Sequence, residues 1–169
     1  MKIVLEALET SDFPVIRDWM DPEVFPIFHH PVDDAQLERL LTKIEGDRPT
    51  DLGYRICAGD DREMVGLTHA ILNWNNRLAH IGQIVIGDPA RRGQGIGCEA
   101  LRQLLRICFE EHRLHRAQVF VDEDNRPAIR CYQKAGFQIE GLMREARKSA
   151  DGYISWHSMS ILDREWRGG

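Results

Sequence analysis

Apolar and polar positions change period several times along this chain, and each change marks an element. Residues 2–8, rich in Ile, Val and Leu, predict a first strand. Thr10-Ser11-Asp12 then caps a helix that carries Pro14 in its first turn and Trp19 and Met20 near its end. Asp21-Pro22 breaks it, a short helix is expected over 24–28, and His29-His30-Pro31 reads as a loop. Asp33 caps the next helix, whose apolar stripe is Leu37, Leu40, Leu41 and Ile44. Strands follow over 52–58, 64–74 and 78–86, separated by turn signals at Asp60-Asp61-Arg62 and Asn75-Asn76. In 94–111 the period returns to that of a helix: Leu101, Leu104, Leu105 and Cys108 lie opposite Glu99, Arg102, Gln103, Arg106 and Glu110. A strand over 117–121 and a helix over 126–135, closed by Gly136, come next. Two last strands, 138–147 and 153–162, flank Asp151-Gly152.

No proline- or glycine-rich linker divides these elements, so 1–169 is expected to be a single domain, and 169 residues suffice for a real core. Apolar content of 43% and charge of 29% are ordinary. The net charge of -5 argues against general nucleic-acid binding and favours cationic partners. No apolar run approaches the roughly 20 residues that span a membrane. Glu6 and Glu9 interrupt any signal-peptide core, which leads to an expectation of a cytoplasmic protein without membrane partners. Cys57, Cys98, Cys108 and Cys131 form no C-x-x-C pair, so buried free thiols are expected rather than a zinc site or a disulfide framework. No H-E-x-x-H or carboxylate cluster accompanies His29-His30, and no metal is expected.

The chemistry concentrates where the strand 78–86 meets the helix 94–111. Ile84-Val85-Ile86 runs into a turn at Gly87-Asp88-Pro89, two arginines, Arg91 and Arg92, and three alternate glycines, Gly93, Gly95 and Gly97. Glycines let a ligand approach the backbone, and the unpartnered N–H groups of a helix start favour phosphate. The turn lacks the Lys-Ser/Thr of a Walker loop, and its G-x-G-x-G spacing is not the dinucleotide fingerprint. A second motif begins at Asn125, a good N-cap, and continues through Pro127, Ala128 and Tyr132 to Gly136-Phe137.

Arg92-x-x-Gly95-x-Gly97 and Asn125-x-x-Ala128-x-x-x-Tyr132-x-x-x-Gly136-Phe137, in this order and with a helix and a strand between them, resemble the two motifs of the GNAT superfamily of acetyl-CoA-dependent N-acetyltransferases. The Ile84–Pro89 segment and the run Glu140-Gly141-Leu142-Met143-Arg144-Glu145 look most like the branch holding spermidine and ribosomal-protein N-terminal acetyltransferases. The resemblance implies an α/β (α+β) fold: a mixed, mostly antiparallel twisted sheet flanked by helices and split at the acetyl-CoA site. It also implies that acetyl-CoA is anchored by Arg92, Gly93, Gln94, Gly95, Ile96, Gly97 and Cys98, paired along Val85, Ile86 and Gly87, and contacted by Asn125, with Tyr132 as general acid. The acceptor is then a small amine, polyamine-like by preference, or a peptide amine. A protein N-terminal or lysine acetyltransferase and a non-catalytic acyl-CoA sensor stand as alternatives. The glutamate base that some relatives carry five residues before the motif asparagine is Phe120 here, and His69 and His80 lie on candidate strands nearby. The apolar last strand (Trp156, Met159, Ile161) suits either a homodimer interface or the core.

Overall fold

Seven strands, β1 (Ile3–Ala7), β2 (Asp51–Ala58), β3 (Glu63–Asn73), β4 (Leu78–Ile86), β5 (Arg116–Asp122), β6 (Gln138–Ser149) and β7 (Gly152–Leu162), form one sheet in the order β1-β2-β3-β4-β5-β7-β6. This is a computed structural model that describes residues 2–20, 32–149 and 151–168. The helix expected over 24–28 and the His29-His30-Pro31 loop lie outside the described residues. Every neighbouring pair of strands is antiparallel except β4 and β5, which are parallel and pair only at Leu78–Arg116, Ala79–Ala117 and His80–Gln118. Beyond His80 the two strands part, and this is the split expected of the sheet.

Helices α1 (Phe13–Trp19) and α2 (Asp34–Ile44) cover one face, where Phe13, Ile16 and Leu37 pack with Leu67 and Val85. Helices α3 (Ile96–Arg106) and α4 (Arg126–Lys134) cover the other, with Leu101, Leu104, Leu105 and Ile129 against Ala79, Ile81, Val119 and Ile161. The short α5 (Asp163–Arg167) ends the described chain. Asp33 caps α2 as expected, accepting the Gln36 N–H at 2.7 Å while Gln36 returns a bond to the Asp33 N–H. Met159 and Ile161 of β7 are core residues, and Trp156 stacks on Phe120.

Two local departures from regular geometry shape the site. In β4 the register slips at Gly82: His69 faces Gln83 while Ala70 faces Ile81. Such a bulge inverts the side-chain alternation, so Ala79 and Ile81 before it and Ile84 and Ile86 after it all meet the α3 layer. The helix expected over 94–111 starts later, because Gly95 takes a left-handed φ of +83° and caps it. It ends in a π turn, Ile107–Glu111, closed by His112 N–H to Ile107 O at 3.0 Å. Ile107, Cys108 and Phe109 are all buried, an arc too wide for one face of a regular α-helix.

Three strands are tied at the far edge by Arg116, which donates to both Glu140 carboxylate oxygens (2.8 and 2.5 Å) and to the Ser160 hydroxyl (2.9 Å). The Arg116 guanidinium holds the Glu140 carboxyl down from its usual 4.5 to about 2. A folded-state pKa below the unfolded one contributes stability that is fully present above about pH 4.5 and is lost as the pH falls toward 2. Glu140→Gln is therefore expected to lower stability at neutral pH and to flatten its decline below pH 4.5, measured by denaturant unfolding across a pH series.

Candidate active site

Past His80, the open side of β4 and the start of α4 face each other across a cleft of about 710 Å³. Val85, Ile86, Arg92, Gly93, Gly95, Ile96, Gly97, Cys98, Asn125 and Tyr132 all line it, so the structure brings ten of the twelve expected residues together. Gly87 and Gln94 do not line it. Gln94 instead holds the preceding turn through its side chain, which donates to Ala90 O at 2.8 Å.

Gly93 and Gly95 have φ of +75° and +83°, and a Cβ on either would meet nothing within 4 Å. A Cβ on Gly97 would touch only Ile84, at an ordinary 3.7 Å. Neighbouring side chains leave room at all three positions, and at Gly93 and Gly95 the left-handed φ is itself a reason for glycine. What they keep clear is the space over the start of α3, where the first N–H groups lack helical partners. Arg91, Arg92, Arg130 and Lys134 stand around this opening. Arg130 and Lys134 were not singled out in the sequence, although their spacing of four on one helix was legible there. Arg92 donates from Nε to Ile86 O at 3.1 Å, bracing the end of β4, and Arg91 pairs with Glu63. An anionic, phosphorylated ligand suits this cradle.

The strand edge is more selective than the expectation over Val85, Ile86 and Gly87. Gly87 N–H donates to Val65 O at 3.0 Å, within the ladder toward β3. Alternation then directs the Val85 N–H to β3 as well and the Ile84 and Ile86 groups to the gap. The Gly87 N–H is thus taken by β3, and Gly87 stands outside the cleft lining. The Trp19 ring lies against it so closely that a Cβ would fall 1.9 Å from Trp19 Cε2. Gly87→Ala is expected to displace the indole and destabilise the fold by about 1–3 kcal/mol, read as a lower melting temperature.

On α4, the Asn125 side chain accepts the Ala128 N–H at 3.2 Å and caps the helix while lining the cleft. Tyr132 packs on Phe137, ring centroids 5.4 Å apart, and burial pushes its phenol up to about 12. It stays protonated throughout the neutral range.

The cysteines need a correction. Cys57 and Cys108 are buried free thiols, as expected, but Cys98 of α3 and Cys131 of α4 are joined as a disulfide with Cα atoms 5.4 Å apart. They stand 33 residues apart in sequence and meet only because α3 and α4 pack side by side. The pair lies in the cleft wall, with a second cavity of about 260 Å³ on its other side.

On the opposite face of the sheet, Phe120 occupies the edge of the gap, stacked on Trp156 at 5.9 Å and in contact with the His80 ring at 5.0 Å. His69 Nε2 lies 2.7 Å from Asp51 Oδ1. No group of three or more His, Cys, Asp or Glu side chains able to hold a metal occurs among the described residues. No helix among them is long and apolar enough to cross a membrane.

The sheet is thus split between two parallel strands, with a glycine-rich helix start at the mouth of the gap. The chain belongs to the acetyltransferase (GNAT) domain family, whose pattern matches residues 2–138, and it is an N-acetyltransferase. It is 29% identical over 164 residues to an L-amino acid N-acetyltransferase of Escherichia coli K12, covering 94% of this chain and 97% of that one. It is 34% identical over 87 residues to the spermidine N(1)-acetyltransferase of the same organism, covering 50% of this chain and 46% of that one. The crystal structure of a spermidine N-acetyltransferase from Vibrio cholerae in complex with CoA and spermine superimposes with a TM-score of 0.85 at 25% identity, over 98% of each chain.

Proposed function

We propose that this chain acetylates a small, polyamine-like primary amine by direct attack in a ternary complex. The observation that carries this reading is the likeness over nearly its whole length to an enzyme crystallised with CoA and spermine. A net charge of -5 suits a cationic acceptor.

Acetyl-CoA, when bound, supplies the acetyl thioester. The start of α3, with Gly93, Gly95 and Gly97, takes its phosphates, helped by Arg130 and Lys134. The open edge of β4 pairs with the amides of its arm as an added strand would. The Ile86 N–H, aimed into the gap, donates to the oxygen on which charge develops, and one such donor is worth roughly 3 kcal/mol. Tyr132 gives its hydroxyl proton to the leaving sulfur. Asn125 shapes the cleft while capping the helix that carries Tyr132. No side-chain nucleophile is required.

A second acceptor class, the α-amine of an amino acid, is favoured by the likeness to the L-amino acid enzyme over 94% of the chain. Release of free thiol from acetyl-CoA against spermidine, spermine, amino acids and N-terminal peptides separates the readings. Turnover with polyamines alone supports the first, and turnover with amino acids alone the second. Turnover with peptides alone points to a protein acetyltransferase. Binding of acetyl-CoA without any turnover points to a sensor.

A further inference from the structure

An alkyl ammonium, with a pKa near 10.4, is neutral in only about one molecule in 2,500 at pH 7. Something must take its proton before the nitrogen can attack, and Phe120, five residues before Asn125, has no group that can accept one. The pair formed by His69 and Asp51 has no role yet. It lies on the α1–α2 face of the sheet, opposite the cosubstrate cleft. We propose that His69, oriented by Asp51, is the base that deprotonates the acceptor amine; the assignment rests on the acetyltransferase reading of the site.

Three observations support it. The Asp51 side chain is only 4% exposed, and a carboxylate can only accept, so the His69 proton sits on Nε2 and the lone pair on Nδ1. An imidazole held by a buried carboxylate has a fixed ring and tautomer, which is what a base needs. Next, Nδ1 lies over Gly82, where an added Cβ would stand 3.2 Å from it. Gly82 is the bulge residue of β4, two positions past the last pairing with β5, so the lone pair sits above the strand that borders the gap. Finally, His69 is 20% exposed and, with Gln83, forms the polar floor of a cavity of about 230 Å³ beneath Met20, Gln36 and Leu40. This cavity lies on the sheet face opposite the phosphate cradle, and Gln83 in its lining directly precedes Ile84 of the cleft.

A second imidazole completes the arrangement. His80, at the fork of β4 and β5, has a buried Nδ1 without a hydrogen-bond partner among the described residues. Burial, and then the charge of His69, push the His80 pKa down.

The step balances. The ammonium gives one proton to His69 Nδ1. The freed lone pair forms the N–C bond, and the C–S bond breaks with its electron pair on sulfur, which takes the Tyr132 proton. The new amide nitrogen sheds its second proton, which restores Tyr132, and His69 releases the first to water.

The test uses wild type, His69→Ala, His69→Gln and Asp51→Asn, with the amine that wild type acetylates fastest and a weakly basic amine already neutral at pH 7. His69→Ala is expected to lower kcat for the strongly basic amine by about 10²–10⁴-fold. Its KM for acetyl-CoA should hold, the defect should shrink with the weakly basic amine, and added imidazole should restore part of the rate. His69→Gln, which keeps the volume, should fail in the same way. Nitrogen NMR of the free protein should show the Nε2–H tautomer in wild type and its loss in Asp51→Asn. Equal defects with both amines, undiminished turnover in His69→Ala, or an Nδ1–H tautomer in wild type would each overturn the proposal. Wild type that acetylates no amine would overturn the acetylation reading itself, and this assignment with it.

Discussion

Replacing Tyr132 by Phe is expected to lower turnover by about 10²–10⁴-fold while leaving acetyl-CoA affinity within a few-fold of wild type. The substitution removes one oxygen and keeps the ring, so the contact with Phe137 and the wall of the cleft survive. What is lost is a proton donor that burial holds near 12 and therefore loaded at neutral pH. Steady-state kinetics with thiol detection, beside calorimetric binding of CoA, separates the two effects. Undiminished kcat in the variant would remove Tyr132 from the chemistry and leave it as packing.

The second large effect concerns the fold. Phe109→Ala is expected to cost about 3–5 kcal/mol, which for a chain of this size lowers the melting temperature by roughly 6–20 °C. Phe109 is fully buried in the π turn after α3 and lies against Trp166. It belongs to an apolar cluster that joins β3 and β4 to β5 and β7. Emptying that site weakens the contact between the two parts of the sheet where backbone pairing is sparsest. Scanning calorimetry checks it, and a fall below about 2 °C would mean that the site collapses around the smaller side chain.

Much of this architecture was legible because it is written in local pattern. The limits of β4 coincide with the apolar run 78–86, and Asp33 and Asn125 cap the helices expected of them. The glycine turn and the Tyr132 helix announced a cleft that the fold then assembles. What escaped the sequence was set by packing between distant elements. The Gly82 bulge appears only when β4 is laid against β3, because alternation within one strand does not reveal a slip in register. Cys98 and Cys131 each look like ordinary helix residues until α3 and α4 are side by side. Trp19 read as the end of a helix, and only the tertiary structure shows that it excludes a side chain at Gly87. His69 was visible as a candidate, yet its carboxylate partner lies 18 residues away on another strand.

The brief contact between β4 and β5 has a consequence for solubility. A bare row of N–H and C=O groups is normally a hazard at the rim of a sheet, where it invites pairing with a neighbouring molecule, and proteins blunt such rims with charge, proline or covering loops. Here the part of β4 beyond His80, which β5 does not pair, lies in the interior of the sheet, with β1 to β3 on one side and β5, β7 and β6 on the other. A whole foreign strand has no line of approach to it. The geometry that leaves room there for a slender ligand thereby also keeps the opening from nucleating aggregates.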